Sequence, residues 1–347
     1  MIKIGIAVAG AGLIGRRHVE LIRQSGLCEL TAIVDPAPGA AAFARECRVP
    51  IYQTLVDLFM QRRPDAVIAA TPNALHVQNG LDCVQHRVPV LMEKPIADSL
   101  EDASRLIDAA ERAGVPLLVG HHRRHSPILA KAREIVRQGR LGKIVAITGS
   151  AMFYKPDAYF NEGPWRREPG GGPILINMIH EVDDLRSTCG EIVAVQALAS
   201  NAARGFAVED TVAIGMRFAS GALGSFLLSD TVAAARSWEQ TSRENASYAT
   251  YADEDCYLIA GIDGSLAVPT MRLKTVSGER SWWRAMQEDV VAVERHDPLA
   301  LQLAHFCAVV RGEVRPLVGG RDAIQTLRVT LAIDEAARTG QIVATTT

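Results

Sequence analysis

The sequence predicts two domains of different class. An α/β domain with a parallel sheet is expected over residues 1–121, and an α+β domain with a mostly antiparallel, open-faced sheet over residues 122–347. Three observations predict this. Apolar runs alternate with amphipathic stretches to about residue 120, the pattern of strands joined by crossover helices. The first run ends in Gly10-Ala11-Gly12-Leu13-Ile14-Gly15. From Ile144 onward, apolar strands follow one another without long helices between the later ones.

In the first domain the strand candidates are 2–9, 30–34, 66–70, 88–92 and 117–119, and the helical stretches are 13–24, 39–47, 55–61, 76–86 and 99–113. Ser99-x-x-Asp102 is a helix-cap pattern, and Gly114 suits the other end of that helix. A barrel needs about eight such repeats, and the alternation stops too early for one. In the second domain the strand candidates are 144–148, 192–199, 211–218, 222–229, 256–260 and 265–268, with Gly205, Gly221 and Gly261-x-x-Gly264 at turns. Helical periodicity returns from residue 298 to 337. Those helices are assigned to the second domain, packing near the domain junction. The last three threonines are expected to fray.

The glycine turn carries chemistry. Gly10 permits a tight strand-to-helix turn, Gly12 lets a pyrophosphate approach the backbone, and Gly15 lets the helix pack on the strand. Leu13 and Ile14 open the helix, whose free N–H groups attract phosphate. Asp35 closes the second apolar run about 20 residues on, where a carboxylate accepts from ribose hydroxyls and repels a 2′-phosphate. This favours NAD over NADP. The plainer reading of Asp35 is a turn residue before Pro36. Thr71-Pro72-Asn73 and Glu93-Lys94-Pro95 each follow an apolar strand, at the carboxyl ends where open α/β sheets bind ligands. His76 opens the next helix, either toward the site or on the surface. X-Pro bonds can be cis, which would re-aim Lys94.

Bulk properties exclude several classes. Net charge is -2, with 48% hydrophobic and 22% charged residues, ordinary for a globular protein and without a basic field for nucleic acid or anionic membrane. No apolar run approaches the roughly 20 residues of a membrane span. The six cysteines are scattered without a Cys-x-x-Cys pair, as in reduced thiols, and Met1-Ile2-Lys3 runs straight into the first strand. A cytoplasmic protein with no metal site is expected.

The second domain holds further candidates. Arg123 and Arg124, in the segment 121–127, are read as orienting substrate or bracing the domain junction. Trp165 and Arg166 precede Gly170-Gly171-Gly172, and a Trp there stacks on a sugar face or seals an interface. After the glycines, Asn177 and His180 are three apart and Asp184 follows His180 by four, so these share one face if the segment is an α-helix. Trp282-Trp283 reads as packing or an oligomer contact.

Taken together, Gly10-x-Gly12-x-x-Gly15, Asp35, Ala70-Thr71-Pro72-Asn73-x-x-His76 and Glu93-Lys94-Pro95 resemble the Gfo/Idh/MocA family over nearly the whole chain. The resemblance implies a Rossmann domain that binds NAD or NADP. It implies a CH–OH/C=O oxidoreductase acting mostly on sugars, cyclitols and related polyols. It also implies a homodimer or homotetramer built on the open sheet face, and a Lys94 that contacts the nicotinamide ribose and the reacting oxygen. The family's usual Asp four residues before the His is absent: Ile176 stands there, beside Asn177.

Removing a hydride from a carbinol requires a base on its hydroxyl. His180 is assigned that role, Lys94 stabilises the alkoxide, and Asn177 orients the hydroxyl. Two other classes remain at this stage. One is a dehydrogenase of a carboxylated dihydrodiol or semialdehyde, its carboxylate held by Arg123, Arg124 and Arg166. The other is a non-catalytic NAD-binding sensor.

Overall fold

The structure is a computed structural model that describes residues 2–345. In chain order the elements begin with β1 (Ile4–Ala9), α1 (Leu13–Gln24), β2 (Cys28–Val34), α2 (Ala40–Cys47), β3 (Ile51–Tyr52), α3 (Leu55–Gln61) and β4 (Ala66–Ala69). Next come α4 (His76–Gln85), β5 (Val90–Met92), α5 (Leu100–Ala113), β6 (Leu117–Val119), α6 (Pro127–Arg137), β7 (Ile144–Tyr154), α7 (Asp157–Glu162) and α8 (Ile179–Cys189). They continue with β8 (Ile192–Ser200), β9 (Thr211–Phe218), β10 (Leu223–Ser229), β11 (Thr231–Arg236), α9 (Trp238–Thr241), β12 (Tyr257–Gly261), β13 (Gly264–Val268), β14 (Arg272–Thr275) and β15 (Gln287–Val290). The last are α10 (Pro298–Val310), α11 (Gly320–Thr339) and β16 (Val343–Ala344). The chain divides into two compact units, Met1–His122 with Pro298–Leu327, and Arg123–Asp297 with Arg328–Thr347.

In the first unit six parallel strands run in the order β3-β2-β1-β4-β5-β6. Every residue of β1 is buried, as expected of a parallel strand covered on both faces. The strand order reverses between β1 and β4, and the carboxyl ends beside that reversal form the ligand crevice of such sheets. α1 buries Gly15, His18, Val19 and Ile22, one stripe at helical spacing. α5 starts where Ser99 Oγ accepts the Asp102 N–H at 3.1 Å and ends at left-handed Gly114, both as the sequence suggests.

The segment Pro298–Leu327 departs from the sequence-based division at residue 122. It belongs to the first unit, because α10 buries Leu303, Phe306 and Cys307 in the apolar cluster of Ile4, Ile6, Val19 and Ile22.

The second unit is built on one large sheet in the order β15-β14-β13-β12-β7-β10-β9-β8-β16, with β11 also paired to β7. The β7–β10 pair is parallel and the rest are antiparallel. Along β9, Val212, Ile214, Met216 and Phe218 are buried, while Ala213, Gly215 and Arg217 are exposed. One face is thus core and the other open. The open face carries Leu198, Leu223, Leu227 and Leu258. β14 and β15 are four residues each and mostly polar, with Leu273 of β14 in the core, and are not evident from the sequence. Thr345 is not frayed: it is buried, its N–H donates to Val193 O at 3.0 Å, and its hydroxyl donates to Ile192 O. Thr346 and Thr347 lie outside the described residues. Trp282 and Trp283 form an edge-to-face pair and are 88% and 84% exposed, so neither is a core residue of its own chain.

Candidate functional site

In the first unit the candidate residues centre on a turn whose shape three glycines set differently. Gly10 has φ 93°, and a Cβ there would stand 2.3 Å from the Ala70 carbonyl oxygen. A Cβ on Gly15 would stand 1.9 Å from the Gly10 carbonyl oxygen. Around Gly12, apart from its chain neighbours, nothing lies within 4 Å of that position. Internal packing therefore does not require Gly12, whereas close approach of a pyrophosphate does. α1 begins here with Gly12 as N-cap and no side-chain cap, leaving its first N–H groups to an anion. Leu13 is exposed and Ile14 half-buried.

Asp35, at the carboxyl end of β2, accepts the Ala11 N–H at 2.7 Å through Oδ2 and the Ala37 N–H at 2.8 Å through Oδ1. It is more than a turn residue, because it ties β2 to the glycine turn. Each carboxylate oxygen keeps a lone pair for a ribose hydroxyl. These residues fit the phosphates and ribose of a dinucleotide.

The loops after β4 and β5 meet at His76. The ring is buried, with Nδ1 2.7 Å from Pro95 O and Nε2 2.9 Å from Thr71 O. His76 is thus neither a cofactor ligand nor a surface residue, because two backbone carbonyls take up its ring nitrogens. Thr71 Oγ1 accepts from Asn79 Nδ2 at 2.8 Å, and exposed Pro72 leads into a short 3-10 turn that starts at half-buried Asn73.

Glu93 is also displaced from its expected cofactor role. It is buried, with Oε1 2.8 Å from His18 Nε2, and Oε2 accepts the Lys94 N–H at 3.3 Å. Burial alone would raise its pKa, but the hydrogen bond and charge of His18 outweigh that and hold it at about 2. Glu93 therefore braces α1 and the backbone that carries Lys94. Lys94 itself is half-buried, and its peptide to Pro95 is cis.

In the second unit, Gly170, Gly171 and Gly172 lead through Pro173 into Ile174–Met178, which is one turn of π-helix, and then into α8. Such turns recur at functional sites. Asn177 lies in the π turn and His180 in the first turn of α8, so α-helical spacing does not place them on one face. Asp184 does not join His180 either. Its carboxylate accepts from Arg123 Nη1 at 3.2 Å and from the Tyr257 hydroxyl at 3.1 Å.

Arg123 and Arg124 are corrected as well. Arg123 is buried and donates to Glu181 Oε1 at 2.7 Å, to Asp184 and to Glu239. Arg124 Nη1 lies 3.4 Å from Asp183 Oδ1. The acidic residues of α8 claim both guanidinium groups, which makes them braces rather than substrate ligands. Burial pushes the Glu181 and Asp184 carboxyls up, against the pull of Arg123. Arg166 stacks on the Tyr159 ring at 3.8 Å and donates to Tyr159 O, and Trp165 beside it is 54% exposed.

Lys155, Asp230, Glu209 and His18 lie outside every linear motif. Lys155 Nζ donates to Asn177 Oδ1 at 2.7 Å and lies 3.3 Å from Asp230 Oδ2. Glu209 Oε1 accepts the Ile174 N–H at 2.8 Å and lies 2.4 Å from where a Gly172 Cβ would be. This explains that glycine. Only His18 leaves a trace: it sits on the apolar stripe of α1, and a polar residue there needs a buried partner. Among the described residues no group of three or more His, Cys, Asp or Glu is placed to hold a metal ion, and no helix is long and apolar enough to cross a membrane.

Residues 4–121 match the family described as GFO/IDH/MocA oxidoreductase, NAD-binding Rossmann fold, and residues 129–267 match the GFO/IDH/MocA C-terminal domain. The chain is 30% identical over 338 residues to 1,5-anhydro-D-fructose reductase of Ensifer adhaerens, covering 96% of each chain. Among solved structures it is similar to the WlbA dehydrogenase of Bordetella pertussis, in complex with NADH and UDP-GlcNAcA, with TM-score 0.79, 26% identity and 99% of each chain covered. An oxidoreductase from Agrobacterium radiobacter, in complex with NAD+, L-tartaric acid and magnesium, shares the fold with TM-score 0.81 at 19% identity over 99% of each chain.

Proposed function

The chain belongs to the GFO/IDH/MocA oxidoreductase family, and from that premise we propose that it is a cytoplasmic enzyme moving hydride between a nicotinamide and a CH–OH/C=O group of a sugar, cyclitol or related polyol. It is an NAD-binding oxidoreductase. The observation that carries the reading is the turn at Gly10–Gly15. Its middle glycine faces open space beside an uncapped helix N-terminus. The sugar class is supported by what two relatives are named for or bind, an anhydrofructose reductase and a dehydrogenase with UDP-GlcNAcA.

Bound NAD supplies or takes up the hydride. The chain's own residues supply the rest. Lys94, at the carboxyl end of β5, stabilises negative charge on the reacting oxygen. His180 takes the hydroxyl proton in oxidation and returns it in reduction, the general acid–base role that an imidazole most often fills. Asn177 orients the substrate. A carboxylated substrate is less well served than the sequence suggested, since of Arg123, Arg124 and Arg166 only Arg166 is not tied to a carboxylate of α8.

Screening the purified protein with NAD and NADP against sugars, inositols, sugar acids and aromatic dihydrodiols tests this. The expected result is growth of reduced-nicotinamide absorbance with NAD and a polyol or sugar. Nucleotide binding without turnover of any carbinol would make it a sensor. Asp35→Ser is expected to lower the NAD:NADP efficiency ratio by about tenfold; an unchanged ratio would leave Asp35 only its role in bracing the turn. The open face of the large sheet, with Leu198 and Leu223, serves self-association in this reading. A monomer by sedimentation would overturn that part.

A further inference from the structure

Lys155 follows β7 directly and is 8% exposed, although it carries an ammonium. Its nitrogen lies 2.7 Å from Asn177 Oδ1 and 3.3 Å from Asp230 Oδ2, with the rings of Phe153 and Tyr159 at 5.5 and 5.0 Å. Asp230 is buried too and accepts from Arg204 Nε at 3.2 Å. Burying an ammonium is costly unless it is paired and hydrogen-bonded. Burial pushes the pKa of Lys155 down, and Asp230 opposes that shift. Asp230 accounts for the charge, but not for the direction of the shortest contact, which goes to a neutral amide in the π turn of the candidate site.

An ammonium offers donors and no acceptor. The Asn177 amide must therefore turn its oxygen to Lys155, which settles the choice of amide orientation. Its NH2 group is the end left to meet a ligand. We propose that Lys155 is a positioning residue: it locks the Asn177 amide so that two N–H donors, and no acceptor, are presented to substrate. The proposal rests on the reading of Asn177 as a substrate-orienting group.

The lock determines what can bind at that position. The ligand atom must accept: a hydroxyl oxygen through its lone pair, a carbonyl or a carboxylate. A protonated amine there meets donors on Asn177 and the charge of Lys155 behind them. Aminodeoxy analogues are thereby refused where the hydroxy compounds bind.

Two measurements test this. The Asn177 side-chain amide resonances, identified by their loss in Asn177→Ala, are expected to shift in Lys155→Met and stay near their original place in Lys155→Arg, which keeps a donor. Unmoved resonances in folded Lys155→Met would overturn the lock. With a substrate from the screen, Lys155→Met is expected to lower kcat/KM by about tenfold. In the Asn177→Ala background it should lower kcat/KM by less than about twofold, because the two residues act as one unit. Losses that multiply in the double variant, with both single variants merely less heat-stable, would make Lys155 structural and overturn the proposal. If the unaltered protein oxidises nothing, the oxidoreductase reading fails and the amide resonances alone decide the lock.

Discussion

The two units hold their candidate residues by different means. In the first, backbone geometry dominates: Gly10 and Gly15 permit contacts that no side chain allows, and Gly12 leaves an opening. In the second, side chains far apart in sequence hold one another, as Arg123 does with Glu181 58 positions away and Lys155 with Asn177 22 away. One buried glutamate in each shows the contrast. Glu93 is held near 2 by His18, against burial. Glu244 accepts from Ser126 Oγ at 2.6 Å and Trp238 Nε1 at 3.2 Å, and burial prevails, raising it to about 7. The first unit keeps a fixed charge beside its loop, and the second keeps a proton within reach of neutral pH.

The largest effect should come from removing the proposed base. His180→Ala is expected to lower turnover by on the order of 10²–10⁴, the usual worth of a general base, with the NAD dissociation constant unchanged. Near-normal steady-state turnover would reject the assignment. Arg123→Ala should act on stability instead. Breaking a buried ion pair costs about 3–5 kcal/mol, and here it strands Glu181 and Asp184. Their burial-raised carboxyls can take up protons, so the loss should be larger at pH 8 than at pH 6 in urea unfolding. A variant of normal stability that fails only in substrate affinity would return Arg123 to the ligand role.

This contrast also explains what was legible. The turn at Gly10–Gly15, α1 and the cap at Ser99 lie within a few residues of their causes, so the sequence displays them. Lys155, Glu209 and the Arg123 cluster owe their roles to partners brought close by folding, and no local pattern marks such a residue. Asn177 and His180 were legible as a polar pair after a glycine loop, but the π turn that holds Asn177 was not, since nothing in Ile174–Met178 breaks α-helical composition. α10 misled for a related reason. Its periodicity gives a helix, and only tertiary packing assigns Leu303 and Phe306 to the first core.

Titration sharpens the comparison further. The Glu244 carboxyl is raised in the folded state, so its contribution is fully present below about pH 4.5, declines as pH rises to about 7, and is flat above. Glu93 has the opposite sign, contributing above its unfolded value and losing that as pH falls toward 2. Glu244→Gln should therefore gain about 2 kcal/mol relative to the unaltered protein between pH 5 and pH 8. A pH-independent difference would mean that Glu244 is ionised in the fold.

The smallest expected effect tests the comparison at its root. If the first unit works through backbone shape, its glycines must divide into those the fold needs and one that only a ligand needs. Gly15→Ala puts a Cβ 1.9 Å from the Gly10 carbonyl oxygen and must displace α1 or β1, with loss of stability and nucleotide binding together. Gly12→Ala meets nothing within 4 Å beyond its chain neighbours, so its unfolding free energy should stay within about 0.5 kcal/mol of the original. Its NAD dissociation constant should rise about tenfold, or ~1.4 kcal/mol, because the added methyl stands where the pyrophosphate approaches. Calorimetry and nucleotide titration on the same sample separate the two quantities. If Gly12→Ala binds NAD normally, the opening beside α1 is not the phosphate site, and the first unit loses the observation on which its function rests.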